Sequence, residues 1–171
     1  MSSVHLATRS VSTPQATTEL GRQLAQCLAP GDVLLVEGDL GAGKTTFVQG
    51  LASGLGVTGP VTSPTFTLMR VLECSVDRPV RRLLHADLYR LDHLAEVVDL
   101  GLLELVDDAA VAAVEWGEAG APVLGDTVLE VLIEQGLGDE DRVITILGTG
   151  SWADPSGCLL YTSQSSIRRP S

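Results

Sequence analysis

The residues best suited to chemistry in this chain form a glycine-rich loop with a single lysine. Residues 38–45 read GDLGAGKT and match the phosphate-loop pattern G-x-x-x-x-G-K-[ST] at every fixed position. Glycines let such a loop turn its backbone N–H groups toward phosphate oxygens, and the N-terminus of the following helix adds partial positive charge. Of the 11 basic residues, Lys44 is the only lysine and the other ten are arginines. A compact ammonium fits a tight phosphate cradle better than a planar guanidinium does, so we predict that Lys44 binds phosphates.

The loop pattern also predicts a ligand role for the residues around the lysine. We expect Lys44 to bridge the outer phosphates of a nucleotide and the Thr45 hydroxyl to hold a magnesium ion. The predicted nucleotide contacts are Gly38, Asp39, Leu40, Gly41, Ala42, Gly43, Lys44, Thr45 and Thr46.

Two carboxylates that follow apolar segments are candidates for the metal. Glu115 follows residues 111–114 (VAAV), and Asp87 follows residues 83–86 (LLHA). Both would lie at the carboxyl edge of a parallel sheet, where ligands of open α/β folds bind. Nucleotide hydrolysis needs a metal held by a carboxylate, and Glu115 has the pattern of a strand-end acid beside a phosphate loop. The alternative for each residue is an exposed acid that merely ends a strand.

Several other polar or aromatic residues near these segments allow two interpretations. Ser63 and Thr65 flank a proline at a strand entrance, where their hydroxyls could face a γ-phosphate or simply shape a turn. Trp116 directly follows Glu115, a position that suits either the core or the site. None of the three histidines, including His85, has a nucleophile or metal partner nearby in the sequence, so we predict that they are structural.

Apolar periodicity places these residues on alternating strands and helices. Residues 33–37, before the loop, predict a buried strand, and residues 46–55, after it, predict a helix. Further strands are predicted at residues 4–10, 65–72, 83–91, 111–114, 127–134 and 142–147. Another helix is predicted to start at Pro14. Residues 94–105 predict either one helix or two short ones broken near Gly101. The sequence thus predicts an α/β protein with a P-loop NTPase-like three-layer fold, a mostly parallel central sheet and an antiparallel C-terminal hairpin.

Composition limits the function classes that fit this chain. Its 171 residues suit one domain, and its formal net charge of −11 disfavours unaided binding to nucleic acid, so any RNA should be held by partners. The three cysteines form no C-x-x-C pair, which argues against a disulfide framework and against a zinc site. The cysteine pattern suits a reducing cytoplasm, so we predict a cytoplasmic protein. The sequence lacks a run of about 18 apolar residues and a basic-then-apolar start, so no membrane span or targeting segment is predicted.

The end of the chain differs in composition from the rest. Beyond residue 150 it is rich in serine, which predicts a disordered tail at residues 151–171 behind a single domain at residues 1–150. Residues 158–163 (CLLYTS) resemble the translation of a transposon end sequence. Our hypothesis is therefore that the chain is not native from about residue 157.

Four segments, in this order and spacing, resemble the TsaE family, the bacterial ATPases of threonylcarbamoyladenosine biosynthesis. They are residues 38–46 (GDLGAGKTT), 63–68 (SPTFTL), 85–91 (HADLYRL) and 115–116 (EW). The resemblance covers about residues 5–147 and implies a single-domain ATPase that uses ATP and Mg²⁺. It also implies action with TsaD and TsaB, which install threonylcarbamoyl on N6 of adenosine 37 in tRNAs reading ANN codons. This protein would then contact tRNA only indirectly, through the complex.

The resemblance further implies roles for individual residues. Lys44 and Thr45 would hold phosphates and magnesium, and Glu115 would be the second magnesium ligand. Asp87 and Trp116 would be needed for activity, and Thr65 would border the γ-phosphate in a switch-like segment. The family also suggests nucleotide contacts near the junction of Thr13 and Pro14 and around Arg142, without fixing which residues of this chain make them.

Other functions share the phosphate loop. A free-standing small-molecule kinase has the same loop and fold class, but the scattered basic residues do not indicate the arginine-bearing lid that such enzymes use. A nucleotide-dependent scaffold without hydrolysis is the second alternative, and ADP release with the partners present would separate it from an ATPase. A GTPase is disfavoured, because the chain contains no asparagine and hence no N-K-x-D guanine-reading motif.

Overall fold

The computed structural model describes residues 2–64, 68–88, 91, 93–115 and 124–153. In these ranges the strands are β1 (Val4–Val11), β2 (Val33–Gly38), β3 (Met69–Glu73), β4 (Arg82–Asp87), β5 (Ala110–Glu115), β6 (Leu129–Gln135) and β7 (Arg142–Gly148). The helices are α1 (Pro14–Ala25), α2 (Lys44–Gly54), α3 (Leu94–Asp99) and α4 (Leu102–Leu105), and Gly150–Ala153 forms a 3-10 turn. None of these helices has the length and apolar character needed to cross a bilayer.

All seven described strands belong to one sheet, in the order β1-β7-β6-β2-β5-β4-β3. The four central strands β6, β2, β5 and β4 run parallel to one another. Strands β3, β7 and β1 are antiparallel to their neighbours, and β6 and β7 form the C-terminal hairpin. The predicted α/β class, with a mostly parallel centre and an antiparallel hairpin at the end, is confirmed.

The central strands are apolar on both faces because helices cover both faces of the sheet. On one face, Leu34 and Val36 of β2 pack in a core with residues of α1 and α2, including Phe47. On the other face, Leu35 packs in a second core to which α3 and α4 contribute, including Leu102. Successive residues of a strand point to opposite faces, so the sequence VLLV of β2 serves both cores.

Small residues allow α1 and α2 to pack closely. A Cβ atom placed on Gly50 of α2 would lie 2.0 Å from the backbone oxygen of Thr18, and one on Gly21 of α1 would lie 2.3 Å from the backbone oxygen of Phe47. Helix α1 itself starts at Pro14, after Thr13 whose hydroxyl accepts a bond from the Ala16 N–H at 3.1 Å. The close packing holds the first turn of α1 beside the glycine-rich loop.

Several element boundaries differ from those that the sequence predicts. Strand β4 ends at Asp87 rather than residue 91. The helical segment after it consists of two short helices with Gly101 between them, which is one of the two predicted alternatives. The predicted loose terminus is not observed at residues 151–153, where Trp152 lies beside β1 and β7 in the core on the α1 and α2 face of the sheet. The predicted strand residues 65–67 and the tail from residue 154 lie outside the described residues.

Candidate functional site

The glycine-rich loop joins the carboxyl end of β2 to the first residue of α2. Gly41 and Gly43 have φ angles of +79° and +108°, values that residues with a side chain rarely adopt. A Cβ at Gly41 would meet no atom within 4 Å, so this position needs glycine for its backbone angle and not for lack of space. Helix α2 starts after Gly43 without a side-chain cap, which leaves the N–H groups of its first turn to a ligand or to water.

Lys44, the first residue of α2, reaches back across this loop. Its Nζ donates to the backbone oxygen of Gly38 at 2.6 Å and to that of Asp39 at 3.1 Å. An ammonium has three donors, so one remains for a ligand oxygen while these two hold the side chain over the loop. By contrast, the side chain of Leu40 in the same loop is 92% exposed, and the nucleotide contact of this residue stays a prediction.

The next residue, Thr45, contacts the acid at the end of β5. Its hydroxyl lies 2.9 Å from Oε1 and 3.2 Å from Oε2 of Glu115, which is almost completely buried. Strands β2 and β5 are parallel neighbours, and both end at the edge from which the loop emerges. The structure therefore brings together the two residues that the sequence proposes as magnesium ligands, although their separation in the chain is 70 residues.

Glu115 has a second polar neighbour that sequence reasoning missed. Nε2 of His85 lies 2.7 Å from Oε1 of Glu115, and the imidazole is fully buried. The sequence predicts a structural His85 because no partner lies near it in the sequence, whereas its partner in the fold is 30 residues away. Residues 85 and 87 alternate on β4, so their side chains point to one face and toward the same sheet edge as Glu115. This alternation is the signal that could have identified the histidine.

Asp87 lies beside Glu115 at the sheet edge. These two residues are register partners on the parallel strands β4 and β5, so their side chains leave the sheet on the same face. The hydroxyl of Ser63 lies 3.2 Å from Oδ2 of Asp87. Asp87 is thus placed to hold the segment before Thr65, whereas Thr65 and Trp116 themselves lie outside the described residues.

A cleft of about 170 Å³ adjoins the other side of the glycine-rich loop. Its lining residues are Pro14, Thr17, Gly41, Ala42, Gly43, Thr46, Glu140 and Arg142. The Nε of Arg142 donates to the backbone oxygen of Ala42 at 2.9 Å, which ties the start of β7 to the loop. The cleft therefore joins the first turn of α1, the loop and the hairpin in one concave surface.

The donor set at Glu115 and Thr45 fits a hard cation carried by phosphate. Both side chains offer oxygen atoms, which magnesium prefers, and magnesium is commonly bound by one or two carboxylates together with substrate phosphates. In the described part of the chain, no group of three His, Cys, Asp or Glu side chains could hold a metal ion on its own. Two oxygen ligands of this kind fit a magnesium ion that also binds substrate phosphates.

Comparison with known proteins identifies a family with the same sequence pattern. The family model for the threonylcarbamoyl adenosine biosynthesis protein TsaE matches residues 11–144. The tRNA threonylcarbamoyladenosine biosynthesis protein TsaE of Streptomyces coelicolor is 45% identical over 140 residues, covering 79% of this chain and 93% of the relative. The protein of the same name from Bacillus subtilis is 41% identical over 138 residues, covering 81% and 83% of the two chains.

A solved structure has the same overall architecture. The crystal structure of Bacillus subtilis YdiB superposes with a TM-score of 0.70 at 34% sequence identity. The superposition covers 88% of this chain and 89% of that one.

Proposed function

The chain belongs to the TsaE family, and from that premise we propose that it is the ATP-binding and ATP-hydrolysing member of the machinery that makes threonylcarbamoyladenosine in tRNA. The names of its relatives place the family in tRNA threonylcarbamoyladenosine biosynthesis. The observation that carries the catalytic part of the proposal is the contact of Thr45 with Glu115 at 2.9 Å, directly beside the glycine-rich loop. A phosphate cradle with a carboxylate and a hydroxyl at its side is what a P-loop ATPase requires.

The loop side of the site would bind the phosphates. The uncapped first turn of α2 would supply backbone N–H groups, and Lys44 would add the positive charge. Glu115 and Thr45 would hold Mg²⁺, which supplies neutralisation of the charge that develops on the phosphate oxygens. Asp87, next to Glu115 in register, would position the attacking water or the segment that contains Thr65.

The cleft beside the loop would take the nucleoside. It lies where the nucleotide would leave the phosphate cradle and is bounded by Pro14 and Thr17 on α1 and by Arg142 on β7. The family resemblance suggests contacts near Pro14 and Arg142, and the structure brings both residues to this one surface. ATP rather than GTP is proposed because the chain lacks asparagine for a guanine-reading motif.

TsaB and TsaD homologues are the proposed partners, with tRNA bound through them. The net charge of −11 would repel a polyanionic backbone, so the chain needs partners to act on tRNA. Residues around the nucleotide site would then report the state of the nucleotide to those partners.

The phosphate-binding role is tested with Lys44→Ala in a nucleotide-binding titration. We expect ATP affinity to fall by about tenfold or more, because a charged hydrogen-bond donor is removed from the phosphates. Arg81→Ala is the matched control, since it removes one exposed positive charge at the amino end of β4, the sheet edge opposite the loop. Unchanged ATP affinity of the Lys44 variant, with a native circular-dichroism spectrum, would contradict the assignment.

The metal-binding role is tested in the same titration with Glu115→Gln. The amide keeps the size of the side chain but loses the anionic ligand that a hard cation prefers. We therefore expect binding of free ATP to persist with EDTA present, and the gain in affinity on adding Mg²⁺ to shrink. An equal response of the variant and the parent protein to Mg²⁺ would move the metal to Asp87.

A further inference from the structure

We propose that His85 is a positioning residue for the magnesium site and acts by fixing the carboxylate of Glu115. The inference rests on the proposed function, because it assumes that Glu115 and Thr45 hold a metal with the nucleotide. It assigns to a buried core histidine a role in metal affinity rather than in packing alone.

The geometry that supports this role comes from the register of β4 and β5. His85 pairs with Ala113, and Glu115 lies two residues farther along β5, on the same face of the sheet. Because the side chain of Ala113 is small, the imidazole can lean along the sheet toward Glu115. The resulting distance from Nε2 to Oε1 is 2.7 Å, and both side chains are within 4% of complete burial.

Hydrogen-bond chemistry specifies which ring nitrogen carries the proton. An ionised carboxylate only accepts hydrogen bonds, so Nε2 of His85 must be the donor to Glu115. Nδ1 is buried and has no hydrogen-bond partner among the residues that the structure describes. A buried N–H without a partner is costly, so the arrangement favours a proton on Nε2 and a bare Nδ1.

The two carboxylate oxygens of Glu115 differ in their hydrogen-bond partners. Oε1 accepts from both His85 and Thr45, whereas Oε2 is contacted at the longer distance of 3.2 Å by the same Thr45 hydroxyl. The bond from His85 to Oε1 therefore restrains rotation of the carboxylate, and both of its oxygens stay within 3.2 Å of the Thr45 hydroxyl beside the loop. Outer partners of this kind typically change metal affinity by about 10–100-fold when they are removed.

Two substitutions of equal length separate hydrogen bonding from packing. The amide nitrogen of glutamine is the same number of bonds from the backbone as Nε2 of histidine. Methionine fills a similar volume but has no hydrogen-bond donor. We expect His85→Met to raise the Mg²⁺ concentration for half-maximal tightening of ATP binding by roughly tenfold or more. We expect His85→Gln to stay close to the parent protein, and ATP affinity in EDTA to be unchanged in both variants.

The outcomes of this titration distinguish the inference from the proposed function. If the parent protein shows no effect of Mg²⁺ on ATP affinity, the proposed function fails. If the parent responds but His85→Met responds equally, or if both variants lose the response equally, only the role of His85 fails. In a Glu115→Gln background, His85→Met should add little further loss, because the histidine acts through the carboxylate.

A measurement on the parent protein decides the question if the methionine variant does not fold. With ¹⁵N-labelled histidine only three imidazoles contribute, and His5 and His93 are exposed. We expect the buried ring to show a protonated Nε2 and an unprotonated Nδ1, with the Nε2 signal shifting when Mg²⁺ and nucleotide are added together. A proton on Nδ1 with a bare Nε2 would overturn the inference.

Discussion

Glu115 is the residue at which three separate parts of the chain meet. Thr45 comes from the loop after β2, His85 comes from β4, and Glu115 itself ends β5. Each of the three side chains is short or buried, so little conformational freedom is lost when a ligand arrives. A preorganised carboxylate of this kind can bind a metal without first being assembled.

A second acid, Glu37, directly precedes the loop and has a raised pKa. Burial raises the pKa of this carboxyl group, and the negative charge of Glu130 on the neighbouring strand raises it further. The folded protein therefore binds this proton more tightly than the unfolded chain does. The stabilising contribution is present below the unfolded pKa of about 4.3 and is lost as pH rises through the folded pKa.

We accordingly predict that Glu37→Gln raises the melting temperature at neutral pH and leaves it nearly unchanged at about pH 4. The amide removes a partly desolvated charge and its repulsion from Glu130 while it keeps the shape of the side chain. Thermal unfolding at the two pH values measures the effect. Glu134→Gln, at an exposed position near the end of β6, is the control. A gain that is equal at both pH values would show that the charge of Glu37 is not its cause.

At the scale of elements, the sequence predicts local structure well because each strand, helix and turn depends on residues that are close together in the sequence. The loop and its flanking strand and helix follow from the glycines, the lysine and the apolar spacing, and the structure places them as predicted. Alternation along β4 can place His85 on the same face as Asp87, but its contact with Glu115, 30 residues away, depends on the register of β4 and β5, which no local pattern encodes. The burial of Trp152 likewise depends on distant elements, which form the core that it packs against. The serine-rich composition around Trp152 gives no sign of this contact.

The packing of α1 on α2 links the core of the protein to the nucleotide cleft. Alanine is normally better than glycine in a helix by about 1 kcal/mol. At Gly50, however, the added Cβ would lie 2.0 Å from the backbone oxygen of Thr18, so the two helices would have to move apart. The first turn of α1 carries Pro14 and Thr17 of the cleft, and it would move with the helix.

We predict that Gly50→Ala destabilises the protein by about 1–3 kcal/mol, despite the better helix propensity of alanine. It should also weaken ATP binding more than it weakens binding of inorganic triphosphate, since the cleft is displaced more than the loop. Ser53→Ala, on the exposed side of the same helix, is the matched control and should be neutral or slightly stabilising. Denaturant unfolding and binding titrations give both quantities, and a more stable Gly50 variant would contradict the proposed helix contact.

For the whole molecule, the distribution of positive charge limits what the chain can do alone. Around the phosphate loop, the cations that the structure describes are Lys44 and Arg142, and Arg142 donates to backbone oxygens of the loop and of the β6–β7 turn. These hydrogen bonds hold the Arg142 guanidinium against the loop and the turn. The overall charge of −11 also favours contact with a basic partner surface.

These features lead to the last prediction, that the isolated protein hydrolyses ATP slowly and that its partners accelerate the reaction. Charge that develops on the transferred phosphoryl group needs a positioned cation, and a supplied arginine can raise the rate by about a thousandfold or more. ATP and ADP should also give different affinities for TsaB and TsaD homologues. The reason lies in the segment of Thr65, which we propose to border the γ-phosphate and to change with the nucleotide. Ser63, just before this segment, donates a hydrogen bond to Asp87 at the edge of the sheet.

The experiment titrates a complex of the two partner homologues into this protein with a non-hydrolysable ATP analogue and then with ADP. Binding is followed in both titrations, and ADP release is measured separately with ATP. Ser63→Ala should reduce the difference in affinity between the two nucleotides, while Ser53→Ala serves as the control far from the site. Identical affinities in both states, with fast turnover in the isolated protein, would favour a free-standing kinase or ATPase. Nucleotide-dependent binding without any ADP release would instead favour a scaffold, because the partners would then respond to bound ATP and not to its hydrolysis.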